Sequence, residues 1–89
     1  MLIVSEMNIV FIAGRVVKTY KFKFIYGGSL IHKSIIKIKV KTFEGEEIEC
    51  IGYDNIADKI LRNEFKFVCV QGSLRTEGYV EISKIIKFR

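Results

Sequence analysis

Apolar and polar residues alternate with period two along most of this 89-residue chain, and a helical spacing interrupts the alternation only once. Such alternation is typical of β-strands that bury one face. It is clearest over 35–40, where three apolar side chains share one face and the lysines share the other. Gly14 interrupts an earlier run, which predicts a bulge or a close approach of two backbones. We predict strands over 8–17 and 20–26, counted together as the first, and then over 35–40, 47–53, 65–74 and 79–88.

The one helical spacing lies between the third and fourth strands. The residues on its apolar stripe are Ile56, Ala57, Ile60 and Leu61. We therefore predict a helix over 54–62, with Asp54 or Asn55 as its N-cap and Asn63 as a left-handed C-terminal cap. Three strands, a short helix and two strands are the order of the all-β, five-stranded OB-fold barrel, with its helix between strands 3 and 4. The sequence therefore predicts a single OB-fold domain over 1–89, with 1–6 as an N-terminal extension.

Positive charge is concentrated in the first half of the chain. The net charge is +5, and the stretch between Met7 and Phe43 contains eight basic residues and no acid. Aromatic residues are interspersed among these charges. Cations for phosphates together with aromatic faces for bases are the chemistry of single-stranded nucleic-acid binding. The alternative is a basic sheet face that is merely solvated and that discourages edge pairing.

Several other classes of function are poorly matched by the composition. Cys50 and Cys69 lack CxxC spacing and His32 is the only histidine, whereas a structural zinc site needs about four such ligands. We therefore expect free thiols and neither a metal nor a cofactor. The acids and serines form no recognisable catalytic arrangement, so we expect no enzyme. No apolar run approaches the ~20 residues of a membrane helix. We expect no membrane partner, and a location in a bacterial cytoplasm or a plastid stroma.

Four motifs resemble bacterial single-stranded DNA-binding proteins. They are the opening run Met7-Asn8-Ile-Val-Phe-Ile-Ala-Gly14-Arg15, the turn Gly27-Gly28-Ser29, the segment Cys50-Ile-Gly-Tyr53-Asp-Asn-Ile-Ala57, and Val70-Gln-Gly72-Ser-Leu74-Arg75-Thr76. The similarity to this family runs from Met7 to Phe88. The resemblance implies an OB fold that binds single-stranded DNA without sequence preference in replication, repair or recombination. It also implies a homodimer or a homotetramer, and the short form of the chain is similar to primosomal replication protein N.

The chain departs from that family in three ways. It ends at the basic pair Phe88-Arg89, so we expect no acidic C-terminal tail for partner recruitment. The hairpin after Thr76 is short, and a smaller nucleic-acid footprint is therefore expected. There is no tryptophan, and Glu46-Glu47 stands where the family often has one. Tyr53 matches a stacking aromatic of the family, and Tyr79 could replace the one in the shortened hairpin.

The candidate contacts to nucleic acid come from the basic stretch and from these aromatic positions. They are Arg15, Lys18, Lys21, Lys23, Lys33, Lys37, Lys39, Lys41, Phe43, Tyr53, Arg75 and Tyr79. For Arg75 the alternative is an ion pair with Glu77, and for Tyr53 a surface position that covers the start of the helix. We expect Phe22 and Phe24 in the core, and Tyr20 and Tyr26 at its rim.

The sequence leaves three functions open. The first is sequence-independent binding of single-stranded DNA by lysines and stacked aromatics. The second is an OB-fold module for protein interaction in a replication or organellar complex, which the absence of tryptophan and the pair Glu46-Glu47 favour. The third is binding of single-stranded RNA. The apolar segment Leu2-Ile3-Val4 is expected to extend an edge strand and to pair with another copy of the chain.

Overall fold

Five strands of one sheet close into a ring, and one short helix follows the strand that ends at Tyr53. The computed structural model describes residues 2–4, 8–22, 34–63 and 65–89. In chain order the elements are β1 (Leu2–Val4), β2 (Ile9–Phe22), β3 (Ile35–Lys41), β4 (Glu47–Tyr53), α1 (Asn55–Arg62), β5 (Phe67–Leu74) and β6 (Val80–Phe88). The predicted all-β class, with one short helix between the third and fourth strands of the ring, is confirmed.

The ring closes because β2 is long enough to pair with two strands. Its first half pairs with β5 over 10–15, and its second half pairs with β3 over 15–22. The ring order is β2-β3-β4-β6-β5 and back to β2. All of its pairings are antiparallel except the short one between β4 and β6, which is parallel. The fold is therefore barrel-like, and the two predicted runs at 8–17 and 20–26 belong to one continuous strand up to Phe22.

The segment Leu2-Ile3-Val4 does form a strand, but it pairs within the chain. β1 runs antiparallel to β2, with Leu2 opposite Phe11 and Val4 opposite Ile9. The expected pairing of this segment with another copy stays a prediction.

Burial follows the predicted alternation and places a β-branched core inside the ring. Along β3, Ile36, Ile38 and Val40 are buried while the lysines between them are half-buried. The largest fully buried side chains are Ile12, Ile36, Ile38, Val10, Val40, Val70, Val80 and Cys50. Burying such side chains contributes about 1.5–3 kcal/mol each. Burial also raises the pKa of the Cys50 thiol to about 12, so this cysteine is a core residue.

Gly14 marks a close approach of two backbones, as predicted. A Cβ at this position would overlap the carbonyl of Lys41 on β3. The bulge lies elsewhere, because the register between β2 and β3 skips one residue between Val16 and Lys18. The inserted residue, Val17, is exposed.

The helix packs against β3, β4 and β6, and its C-terminal end differs from the prediction. Ala57 and Ile60 are buried against the core. Asp54 occupies the N-cap position but makes no side-chain capping bond, and its φ is 50°. The prediction of a left-handed Asn63 is wrong, because its backbone is extended at φ −125° and ψ 130°. Asn63 instead donates its side-chain amide to the Lys59 carbonyl at 2.8 Å, which satisfies an end carbonyl of the helix without a left-handed turn.

Asn8 ties the start of β2 to the end of β5. Its side chain donates to the Leu74 carbonyl at 3.3 Å and accepts from the Leu74 amide at 3.1 Å. Its φ is 49°, a conformation that asparagine tolerates better than most residues. We expect Asn8→Ala to lower the free energy of unfolding by about 2 kcal/mol, from the lost hydrogen bonds and the strained φ.

Urea unfolding of Asn8→Ala and Asn8→Gly separates those two causes. Glycine adopts the positive φ freely but lacks the amide, so Asn8→Gly is expected to lose about 1 kcal/mol. Unchanged midpoints for both variants would show that this bridge does not stabilise the barrel.

Candidate nucleic-acid interface

The outer surface of the second half of β2 and of β3 carries a group of the candidate contacts. We call this surface the basic face and define it by Lys18, Tyr20, Lys37, Lys39 and Lys41. Strand register brings these residues together, because Lys18 lies opposite Lys39 and Tyr20 lies opposite Lys37. Residues directly opposite in antiparallel strands share a face at about 4.5–5.5 Å between Cβ atoms.

Tyr20 lies between two lysines of the basic face. The Lys18 Nζ is 5.1 Å and the Lys37 Nζ 5.3 Å from the centroid of its ring. Such cation–π geometry holds the ammonium groups beside an aromatic surface. The pKa of Lys18 is raised mainly by the hydrogen bond of this lysine with Tyr20. The charge interaction with the same tyrosine raises it further.

The prediction missed Tyr20 as a site residue and placed it only at the rim of the core. The reason is the extra residue at Val17, which reverses the alternation of β2 beyond that point. The signal that could have found Tyr20 is its aromatic side chain next to Lys18 and Lys21.

Two lysines of the basic face form ion pairs with glutamates of β4. The Lys37 Nζ is 3.3 Å from the Glu49 Oε2, and the Lys39 Nζ is 3.9 Å from the Glu47 Oε1. Side-chain exposures of 31–49% keep both pairs in contact with solvent, so each is worth at most about 1 kcal/mol. A phosphate that binds Lys37 or Lys39 must therefore displace a carboxylate, at a small cost.

Arg15 and Lys41 extend the row of positively charged side chains toward the start of β2. Both are exposed and lie opposite each other in the register, and Arg15 also lies opposite Phe67 of β5. Within the described residues neither has an ion pair. These two side chains therefore lie where the basic face borders the outer surface of β5.

A second cluster lies where β4 meets β6. Glu81 is opposite Ile51 in the parallel register, and Arg75 donates to its Oε1 from Nε at 3.2 Å and from Nη2 at 2.9 Å. The expected alternative partner of Arg75, Glu77, is thus replaced by Glu81 among the described residues. Burial, followed by the interaction with Tyr79, raises the pKa of Tyr53. The two tyrosines share a side-chain hydrogen bond, and both are half-buried.

Phe43 is separate from both aromatic sites. Its side chain is 89% exposed on the turn between β3 and β4. It lines a cleft of about 160 Å³ with Ala13 and Phe67, on the part of the barrel where β2 pairs with β5. Phe43 is therefore exposed, but it does not form a group with Tyr20 or Tyr53.

Three predicted contacts, or their side chains, lie outside the residues that the structure describes. Lys21 lies opposite the core residue Ile36 in the backbone register, and its side chain is outside what the structure describes. Lys23 and Lys33 lie outside the described residues, as do Phe24 and Tyr26.

Among the described residues, no three histidine, cysteine or acidic side chains come together as metal ligands would. No helix in the same part of the chain has the length and apolar character needed to cross a membrane.

Comparisons with known proteins identify no relative of this chain. Searches against family models, curated proteins and solved structures found no match.

Proposed function

We propose that this barrel is an OB fold that binds single-stranded DNA. The OB fold is a five-stranded Greek-key barrel that binds oligonucleotides on the face of its second and third strands. The ring order, the single parallel pairing and the position of the helix support this assignment. In ring order the second and third strands are β3 and β4, so the expected binding surface includes the three basic-face lysines of β3 and adjoins Lys18 and Tyr20 of β2.

The observation that carries the proposal is the position of Tyr20 between the ammonium groups of Lys18 and Lys37. Both ammonium groups lie over the ring, so a base that stacks on Tyr20 displaces at least one of them and leaves it free to contact an adjoining phosphate. Alternate residues of a strand are about 6–7 Å apart, so Lys37, Lys39 and Lys41 can follow the phosphates of an extended single strand. Tyr53 and Tyr79 supply a second stacking position at the β4–β6 edge.

The resemblance of the four sequence motifs to single-stranded DNA-binding proteins extends the proposal to a role in replication, repair or recombination, as a homodimer or a homotetramer and without an enzymatic step. A bacterial cytoplasm or a plastid stroma would supply the single strands. Because backbone charge and stacking dominate the contacts, binding extends across sequences.

One observation favours a second candidate function. The ion pairs of Lys37 with Glu49 and of Lys39 with Glu47 neutralise part of the basic face. A mixed-charge surface suits a protein partner, which would make the barrel an interaction module. Single-stranded RNA is a further ligand of the same chemistry.

Fluorescence anisotropy with a labelled, mixed thymine–cytosine oligonucleotide tests the proposal. We expect saturable binding that duplex DNA competes for poorly. The logarithm of the affinity should fall with the logarithm of salt concentration at a slope of about −3, from ~0.7 for each of four or five phosphates. An RNA strand of the same sequence is titrated in parallel to determine the preferred sugar.

A matched pair of variants links the binding to the basic face. Tyr20→Leu removes the stacking ring and should weaken binding about fivefold or more, since stacking is worth ~1–3 kcal/mol per base. Val17→Ala removes an exposed apolar side chain from the same strand and should leave binding unchanged. Absence of binding to DNA and RNA at low salt would overturn the proposal and favour the interaction module.

A further inference from the structure

The cleft beside Phe43 lies on the part of the barrel where β2 pairs with β5. Ala13 and Cys69, two small residues opposite each other in the register, form its floor. The exposed rings of Phe43 and Phe67 line it above this floor, and Lys87 lines it from β6. We call this site the aromatic cleft and define it by these five residues. It presents apolar and aromatic surface directly to solvent.

The charged side chains at the aromatic cleft are positive. Among the described residues, Lys87 and Arg89 line it and no acidic side chain does. The Arg89 guanidinium is 5.6 Å from the centroid of the Phe67 ring, and Arg15 of β2 lies opposite Phe67 in the register. The exposed Glu44 lines a separate cleft. An exposed apolar patch with a positively charged border is typical of a site that binds an anionic partner.

Arg15 and Lys41 connect the aromatic cleft to the basic face. Lys41 lies opposite Arg15, and Arg15 lies opposite Phe67, so one residue from each of three adjacent strands leads from β3 to the cleft. Neighbouring strands are ~4.8 Å apart, which places Phe67 ~10 Å from Lys41, a distance that about two extended nucleotides cover. Neither Arg15 nor Lys41 has an ion pair within the described residues. A strand that follows the β3 lysines therefore meets two further cations and then the cleft.

The distribution of charge limits the choice of occupant. A second copy of the chain in a two-fold contact would bring its own Lys87 and Arg89 against the same two residues, and like charges oppose such an interface. An acidic peptide suits the cleft itself, but the row of cations continues past the cleft to Lys41 and the other lysines of β3. A single strand matches both features, because its phosphates contact the cations and its bases stack on the aromatic rings.

We propose that the aromatic cleft is a further stacking site for the strand bound at the basic face, with Phe43 and Phe67 contacting bases and Arg15 and Lys41 contacting the phosphates between the two sites. The inference rests on the proposed function, since it extends the path of the same strand. Every base has a face that can stack on a phenylalanine, so this site lengthens the footprint and keeps the binding independent of sequence. It also gives a role to Phe43, whose side chain is 89% exposed and adds little to the core.

Cys69 on the floor of the cleft allows its occupation to be measured. This thiol is half-buried whereas Cys50 is fully buried, so alkylation by iodoacetamide followed by mass spectrometry reports on Cys69. A mixed thymine–cytosine strand of about 16 nucleotides, the upper end of the site size of one OB fold, is added at about ten times its Kd. About one protein in eleven is then free, so alkylation of Cys69 should slow about tenfold. A thiol introduced by Ser83→Cys, exposed on β6 and outside the cleft, is the internal reference and should keep its rate.

Phe43→Ala measures what the cleft contributes to affinity. Loss of one stacked base should weaken binding of the same strand about fivefold or more, while the salt slope stays the same because no charge is removed. Ile86→Ala is the matched control, since Ile86 is also a large exposed apolar residue but does not line the cleft, and its affinity should be unchanged. If the strand binds but the alkylation rate of Cys69 or the affinity of Phe43→Ala is unaffected, the inference is wrong and binding at the basic face stands.

Two other results are distinguishable from these. Failure of the unmodified protein to bind any single strand would overturn the proposed function and the inference with it. A peptide of alternating glutamate and phenylalanine is tested in parallel. If this peptide protects Cys69 from alkylation and the DNA strand does not, the cleft binds an acidic protein segment and the inference is overturned.

Discussion

Replacing Lys18, Lys37 and Lys39 together by glutamine is expected to lower the affinity for single-stranded DNA by about a hundredfold at 0.1 M salt. Each phosphate contact to a single strand contributes ~0.7 to the salt slope, which corresponds to about fivefold in affinity at that concentration. The three contacts therefore account for about two units of slope. Anisotropy titrations over a series of salt concentrations measure the affinity and the slope in one experiment.

The ion pairs of the basic face add a second contribution to this loss. In the triple variant, Glu49 and Glu47 remain without the lysines that now neutralise them. Their charge then repels the incoming phosphates, and the measured loss includes this repulsion. Repeating the three substitutions in a Glu47→Gln, Glu49→Gln background removes it and isolates the contribution of the lysines, as in a double-mutant cycle.

A control with the same change in net charge separates a local site from a general attraction. Lys66, Lys84 and Lys87 are exposed, and Lys84 and Lys87 lie on the β5–β6 part of the barrel, opposite Gln71 and Cys69. Their triple glutamine variant should lose far less affinity than the variant of the basic face. Equal losses in the two variants would mean that net charge alone attracts the strand, and the basic face would then be no binding site.

The sequence was sufficient to predict the class of fold because alternation and helical spacing are local signals. The buried residues of β3 and the stripe of α1 follow directly from these periods. The lysines at 37 and 39 were placed on the outer face for the same reason. These features depend only on residues close together in the chain.

The sequence did not predict which residues form the interface, because this depends on the register between strands and on one bulge in β2. The extra residue at Val17 shifts the outward positions of β2 to Lys18 and Tyr20, and nothing in the sequence marks this residue. The pairing of Lys37 with Glu49 requires the register between β3 and β4, which the turn between them sets. The partner of Arg75 likewise depends on the register between β5 and β6.

Gly14→Ala is expected to lower the free energy of unfolding by about 3 kcal/mol or more. A Cβ at this position would overlap the carbonyl oxygen of Lys41, which is backbone and cannot turn away as a side chain would. Lys41 is also held on both sides, because it lies opposite Arg15 of β2 and Glu47 of β4. Relief of the overlap therefore requires β2 and β3 to separate where the ring closes.

Gly45→Ala provides the comparison for this variant, measured by urea unfolding of both proteins. Gly45 has a φ of 91° and no atom within 4 Å of an added Cβ, so alanine there costs only backbone strain of about 1 kcal/mol. Equal losses in the two variants would show that β2 and β3 can move apart freely at Gly14. A larger loss for Gly14→Ala would instead mean that Arg15 and Lys41, the exposed cations beside this contact, are held in place by the closure of the barrel.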